Sequence, residues 1–333
     1  MRPTLHQLEL FREVARQGSF TQAAKKLSIA QPTVSGQIKQ LSQGIGMPLF
    51  EKVGRRLFLT EAGEVLLASC QEMFDSLDRL EMAVSDLQGQ RRGRLNLAVV
   101  TTAQYVVPRL LGQFCQDYPD VDVSLQVLNH TQLSDRMADN RDDLYVLSHL
   151  PNHVDLEFEP FVDNSLVVVT GRSHPLALEA KRTQGREKIA IRQLSNQDFV
   201  MREPGSGTRR AVEQHFDRHG LSVQVRLELS TNEAIAQAVA SGLGMAVLSR
   251  HCLSSGITNP DLVTLEVTHF PIRCQWYVAH LKAKQLSVVA QSFRDRLMAP
   301  ENFAEPLGMV GDGLAAVSNP TTPISETPNL AIR

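Results

Sequence analysis

Apolar residues recur every three to four positions through the first part of the chain. Leu5, Leu8, Phe11 and Ala15 give a first helix one apolar face. Thr4 with Gln7 forms a reciprocal capping box at its start, and Gly18 ends it. Ser19 with Gln22 repeats the box and opens a second helix through Ala23, Ala24 and Leu27. A short turn at Ser28–Ala30 follows. Pro32 falls in the first turn of a third helix, where its missing N–H costs nothing, and Val34, Ile38 and Leu41 make the buried stripe. Leu49–Thr60 reads as two extended runs around a Gly54-Arg55-Arg56 tip. Thr60 then caps a long helix, with Glu61 and Glu64 at its positive dipole end.

Along that helix Leu66, Cys70, Met73, Leu77, Leu80, Val84 and Leu87 follow at spacings of 4, 3, 4, 3, 4 and 3. This is the seam of a coiled coil, and some 25 residues of helix reach roughly 38 Å. A polar break, Gln88–Arg94, ends it. Beyond Arg94 the pattern alternates between short apolar runs and amphipathic stretches. Strands are expected at Leu95–Val100, Val121–Leu128, Asp143–Ser148, Leu166–Thr170, Phe199–Arg202, Val223–Leu229, Met245–Leu248, Val263–Val267 and Cys274–His280. Helices are expected at Tyr105–Tyr118, Thr131–Asn140, Thr208–His219, Asn232–Ala240 and Leu286–Met298. The alternation predicts an α/β domain with largely parallel pairing. Residues 300–333 hold five prolines and no periodicity, and are expected to be a disordered tail.

At 333 residues the chain is long enough for two or three domains. Its net charge of −2 conceals an asymmetry. Residues 1–60 carry nine Lys/Arg against three acids, so this segment is +6 and the remainder −8. A basic block at one end suggests a nucleic-acid footprint confined there. Cys70, Cys115, Cys252 and Cys274 show no metal spacing and no disulfide framework, which fits free thiols in a reducing, cytoplasmic setting. MRPTLHQLEL lacks a signal-peptide core, and no run of about 18 apolar residues suggests a membrane span.

Two short helices joined by a tight turn match a helix-turn-helix, whose second helix enters the major groove. Reading bases there takes short hydroxyl and amide groups near the helix N-terminus. Gln31, Thr33, Ser35 and Gln37 supply them, Pro32 suits a thymine methyl, and Thr21, Gln22 and Lys39 suit the flanking backbone. Arg55 and Arg56 on the hairpin tip make a wing aimed at phosphate or the minor groove.

The run SFTQAAKKLSIAQPTVSGQIKQLSQGIGMPLFEKVGRRLFLTEAG closely resembles the DNA-binding domain of LysR-type transcriptional regulators. It departs at Ala30, where that family often has a capping Ser, and at Ser42, where Glu is common. The resemblance extends to about residue 298. It implies a winged helix-turn-helix over 1–60, a linker and dimerisation helix over 61–90, and an effector domain over 91–299 resembling periplasmic binding proteins. In that arrangement subdomain I is 91–162 with 269–299, subdomain II is 163–268, and a cleft lies between them. It also implies a homodimer, commonly paired into a tetramer, on double-stranded operator DNA, with RNA polymerase a candidate further partner.

Ligands of open α/β sheets sit beyond the carboxyl ends of strands. Three such ends carry anion-binding groups: Thr101 and Thr102; Asn129 and Thr131; and Arg202, followed by Glu203-Pro204-Gly205-Ser206-Gly207-Thr208. Ser148 ends another strand. Thr101 and Thr131 are equally explained as helix caps. In the EPGSGTRR loop, two glycines, two hydroxyls and three nearby arginines exceed what a cap requires. It is not a P-loop. The segments NHTQL, DDLYVLSHLP, MREPGSGTRRAVEQHF and STNEAIAQAVASGLGMAVLSRH are similar to the LysR branch that controls carbon-fixation and RuBisCO operons. That likeness implies a small anionic effector (a sugar phosphate, phosphoglycolate or a carboxylate) and no cofactor. A solute-binding protein for a small anion and a LysR regulator of another pathway are the alternatives. Catalysis is not expected: Ser206 lies in Gly-Ser-Gly rather than Gly-x-Ser-x-Gly, and His130, His149, His153, His174 and His215 lack metal-ligand spacing.

Overall fold

The computed structural model describes residues 3–54, 56–87, 92–184, 186–255, 257 and 259–299. Arg55, residues 88–91 of the polar break and the tail 300–333 lie outside the described residues, as does the side chain of Leu87.

The head is built by its caps and one small core. Helix α1 (Leu5–Gln17) starts on the Thr4 box, with Gln7 N–H donating to Thr4 Oγ1 at 3.2 Å and Thr4 N–H to Gln7 Oε1 at 3.1 Å. Helix α2 (Phe20–Lys26) starts on Ser19, and α3 (Gln31–Ile45) starts at Ala30 with no side-chain cap bond. Leu10, Phe11, Val14, Ala23, Val34, Ile38 and Leu41 close the core between them. Strands β1 (Phe50–Val53) and β2 (Arg56–Leu59) pair antiparallel, from Phe50 opposite Leu59 to Val53 opposite Arg56.

Helix α4 (Glu61–Leu87) runs 27 residues, and Thr60 Oγ1 accepts from Gly63 N–H at 3.1 Å. Its first half belongs to the head. Cys70 is fully buried in the head core, and Leu66, Leu67 and Phe74 pack against it. The heptad seam therefore divides. Leu66 and Cys70 turn toward their own chain, because the head offers an apolar face there, while Met73, Leu80 and Val84 stay exposed and Leu77 is half-buried. The second half rests on the sensing domain, where Met82 lies against Gly93 and Asp75 meets Lys284. Among the described residues no helix is long and apolar enough to cross a membrane.

The sensing domain contains β3 (Gly93–Val100), α5 (Val107–Asp117), β4 (Val121–Leu128), α6 (His130–Ala138), β5 (Leu144–Leu147), β6 (Leu156–Gly171) and α7 (Pro175–Arg182). It continues through β7 (Asp198–Arg202), α8 (Gly207–Arg218), β8 (Gln224–Leu229), α9 (Asn232–Ala240), β9 (Ala246–Ser249), α10 (Arg250–Ser255), β10 (Leu262–Leu265), β11 (Ile272–Leu281) and α11 (Val288–Met298). One sheet runs in the order β10-β6-β11-β5-β3-β4, with β9 also on β6. Pairing is mixed rather than largely parallel. Strand β3 is parallel to β4 and β5, and β7 to β8, as βαβ connections require. Strand β11, however, is antiparallel to β5 and β6, and β9 and β10 are antiparallel to β6.

The reason is that β6 and β11 are the two strands that cross between the halves of the domain. They pair with each other from Leu156–Leu281 to Leu166–Ile272. Strand β6 is 16 residues long, so the expected strand at Leu166–Thr170 is only its far end. Each half has its own core. Leu95, Leu97, Phe114, Trp276 and Phe293 fill the first. In the second half, Leu166 and Val168 face one core with Phe199 and Phe216, while Val167 and Val169 face another with Ile235 and Leu248. That alternation is the two-residue period of a strand covered on both sides.

Candidate functional site

Two surfaces carry chemistry. On the head, Thr21, Gln22, Gln31, Pro32, Thr33, Ser35, Lys39 and Arg56 are all exposed. Gln37 differs: it is half-buried, and its Oε1 accepts from Gln7 Nε2 at 3.2 Å, so α1 fixes its amide. The basic residues also divide. Arg12 lies over the Phe74 ring at 4.1 Å and Arg16 pairs with Glu13 at 2.9 Å, while Lys25, Lys26, Lys39, Lys52 and Arg56 face solvent. The exposed cations share the head with the outward polar side of α3.

The second surface is a cleft where the two halves meet. Its wall combines Thr101 and Thr102 after β3, His130 at the start of α6, and Ser148 and His149 after β5. The crossing strands add Asn164, Leu166 and Cys274, and the start of α8 adds Ser206, Gly207 and Thr208. Space for a water's centre is about 10 Å³, on the order of one water molecule. A phosphate-sized guest therefore enters only as the lining side chains or the two halves part.

Helix α8 supplies the wall's best anion donors. Its first closed turn is Arg210 N–H to Ser206 O at 3.1 Å, which leaves the N–H groups of Gly207, Thr208 and Arg209 ahead of the ladder. Ser206 occupies the N-cap position and is buried, yet its hydroxyl makes no cap bond. On the facing wall, Thr102 Oγ1 accepts from the buried Trp276 Nε1 at 3.3 Å, and Ser148 Oγ lies 3.1 Å from His149 Nδ1. Ser249 Oγ donates to Asn164 Oδ1 at 2.6 Å.

Three residues singled out in the sequence are not brought to this wall. Asn129, rather than Thr131, caps α6: its Oδ1 accepts from Gln132 N–H at 3.0 Å, and its Nδ2 donates to Glu203 Oε1 at 3.3 Å. Thr131 instead bonds Gly205, its N–H donating to Gly205 O at 3.3 Å. Arg202 is buried and committed. It forks onto Glu203 at 2.7 and 2.9 Å, and its Nη1 reaches Thr101 Oγ1 at 2.9 Å and Asn232 Oδ1 at 3.2 Å. Arg209 is likewise held by Glu213, Glu228 and the Arg202 carbonyl. The bonds Asn129–Glu203, Thr131–Gly205 and Arg202–Thr101 latch one half to the other beside the cleft, joined by Tyr105 Oη to Glu233 Oε1 at 2.5 Å.

The sequence reading passed over His130 and His149 as cleft groups. Their rings sit edge to face, 6.0 Å apart. His130 Nδ1 is buried and has no hydrogen-bond partner among the described residues. Burial, the neighbouring His149, the Arg210 charge and His153 push His130 down to about 4, and burial with Arg210 also lowers His149. No signal along the chain marked the pair, because nineteen positions and a strand separate them.

Comparison with known proteins finds relatives of both parts of the chain. The family described as bacterial regulatory helix-turn-helix protein, lysR family, matches residues 5–64, and the LysR substrate binding domain matches residues 88–299. The HTH-type transcriptional activator CmpR of Synechocystis sp. is 47% identical over 89% of this chain and 95% of its own length. A RuBisCO operon transcriptional regulator of Acidithiobacillus ferrooxidans is 39% identical over 89% of this chain and 94% of its own. Among solved structures, the Synechocystis CcmR regulatory domain in complex with 2-PG is 52% identical, covering 62% of this chain and 96% of that one, with a TM-score of 0.58. Full-length CbnR complexed with its target DNA shares the fold at 19% identity and a TM-score of 0.60, covering 88% of this chain and 98% of that one.

Proposed function

The chain belongs to the LysR family of bacterial transcriptional regulators, and on that premise we propose that it controls carbon-fixation operons in response to 2-phosphoglycolate or a close phosphorylated acid. The observation that carries the effector reading is the α8 amide end facing a cleft of hydroxyls and imidazoles, in a domain 52% identical to one bound to 2-PG. Phosphate sits on the Gly207–Arg209 amides, with Ser206, Thr208, Thr102 and Ser148 donating around it. Asn129, Thr131 and Arg202 act one step back, by holding the walls together.

On the DNA side, Gln31, Pro32, Thr33 and Ser35 read base edges from α3, while Thr21, Gln22, Lys39, Arg56 and Arg55 grip the backbone. Gln37 reads a base through the amide face that Gln7 leaves free. Dimers form along the exposed stretch of the α4 seam and place two heads on two half-sites. In this reading the divisions stay as expected from sequence, head 1–60, linker 61–90 and sensing domain 91–299, with the first half of the linker helix packed on the head core.

The experiment is footprinting of the full chain on the fragment upstream of its own gene and on RuBisCO-operon promoters, with and without 2-phosphoglycolate. Protection that shifts or tightens with the metabolite is expected. Protection that ignores 2-phosphoglycolate but answers to another anion would move the protein to a different pathway.

A further inference from the structure

The cleft poses a problem of charge. Among the described residues lining it, none is Lys, Arg, Asp or Glu. The nearest buried cation, Arg202, is already neutralised by its two-pronged pair with Glu203. A phosphorylated acid arriving with a dianionic phosphate and an ionised carboxylate would leave water for a wall of hydroxyls, amides and neutral rings. Helix-end amides offset about half a charge, which is short of what the guest carries.

Two groups in the wall are able to make up the difference. His130 and His149 both line the cavity, with ring centroids 6.0 Å apart. His130 is 7% exposed and its Nδ1 is buried without a partner, a cost a protein rarely keeps without use. The α8 amide end abuts both rings: a Cβ added at Gly207 would lie 3.6 Å from His149 Nδ1 and 4.0 Å from His130 Cβ.

We propose, resting on the effector reading above, that His130 and His149 are the charge-matching residues of the cleft, taking up a proton from solvent as the anion enters. The proton is bound at an imidazole nitrogen; no bond of the effector is made or broken. The titratable groups acting on the pair are Arg210 on α8 and His153 beyond β5, and Cys274 of β11 lines the same wall. In the empty cleft, burial, the rings' mutual proximity and Arg210 disfavour the proton. A bound dianion reverses that balance, so the bound-state pKa lies above the free-state one. Affinity is then greatest at low pH and is lost as pH rises through the bound-state value. Once the effector is fully ionised, each linked proton makes this loss at most about tenfold per pH unit.

The test is isothermal titration of the full-length protein with 2-phosphoglycolate in a pH series from 6.0 to 8.0, in several buffers of different ionisation enthalpy, with proton exchange at the ligand's own phosphate subtracted. The expected result is a heat that varies linearly with buffer enthalpy, with a slope corresponding to net proton uptake by the protein that falls as pH rises. In His130→Gln and His149→Gln the slope falls toward zero while weaker binding persists. Measurable binding with zero protein slope at every pH in the unaltered protein overturns the proposal and leaves the effector reading intact. A slope unchanged in both variants also overturns it, because the proton then goes elsewhere. Absence of any binding in every buffer removes the effector reading, and this inference with it.

Discussion

At the scale of single residues, the cleft separates groups committed to the protein's own bonds from groups left to meet a guest. Arg202 and Ser206 lie four positions apart, and both are almost fully buried. Arg202 makes four hydrogen bonds, to Glu203, Thr101 and Asn232. Arg202→Ala strands the Glu203 carboxylate and is expected to cost about 3–5 kcal/mol, read as a lower denaturant midpoint. Ser206→Ala removes no cap bond, so stability should hold within about 0.5 kcal/mol, while 2-phosphoglycolate affinity falls about tenfold for a lost charge-assisted hydrogen bond. The opposite pattern, with Ser206→Ala unfolding the domain and Arg202→Ala only weakening the ligand, would exchange their roles. Gly205 is a third case. It adopts φ +89, and an added Cβ would stand 2.7 Å from Thr131 Oγ1. Gly205→Ala should therefore cost on the order of 1–3 kcal/mol in backbone strain and push the α8 loop off α6, lowering effector affinity in the same titration. The hydroxyls and glycines of the EPGSGTRR loop suggested an anion site along the chain, and Ser206, Gly207 and Thr208 do line the cleft. That Arg209 is committed was not legible, because its acidic partners Glu213 and Glu228 lie one turn on and on β8.

At the scale of elements, those with local signals were readable and those made by partners were not. The Thr4 and Ser19 boxes and the Thr60 cap are short-range chemistry, and α1, α2 and α4 begin where these signals fall. The Leu156–Ser165 half of β6 alternates acids with apolar residues and shows little strand character alone. It is a strand because β11 lies antiparallel beside it. Helices α7 and α10 are 8 and 6 residues long, too short for a clear period. The α4 seam was legible as a repeat but not as two surfaces, since only the folded head shows that Cys70 lies within its core. The division has a consequence for assembly. Leu80 is 60% and Val84 44% exposed, so Leu80→Asp with Val84→Asp should leave the head folded and shift the light-scattering mass toward the monomer. Cys70→Asp, by contrast, should unfold the head, because it buries a charge without a partner. A dimer mass unchanged by the Leu80/Val84 pair would move the interface off this helix.

At the scale of the whole molecule, an acidic α4 joins a basic head to a nearly neutral sensor, and it touches both. Its sensor contact centres on the buried Lys284, whose Nζ reaches Asp75 Oδ2 on α4 at 3.5 Å, Asp143 Oδ1 at 3.3 Å and Asn140 Oδ1 at 3.2 Å. Arg79 Nη1 adds a bond to Gln285 O at 3.4 Å. This clasp ties the helix that carries the head to the half of the sensor that presents His130, Ser148 and His149. The charges are unevenly placed along that axis: +6 over residues 1–60 and −8 over the rest. The acids concentrate in the linker, seven over residues 61–90 against the single Arg79, while residues 91–299 carry 23 Lys/Arg against 22 acids, so only the head is expected to draw DNA by counterion release. Binding should weaken steeply with salt, with log affinity linear in log salt concentration. Arg56, exposed opposite Val53 at the hairpin tip, is the clearest separable term. Arg56→Ala should weaken every duplex about equally and make the salt slope shallower by about one per head. Ser35→Ala, on the outward side of α3, should instead leave that slope unchanged and relax preference at one base position of a selected site. The two substitutions are compared on one promoter fragment and one random duplex across a salt series. If Arg56→Ala changed sequence preference while Ser35→Ala changed only the slope, the wing would be the reading element and α3 the grip.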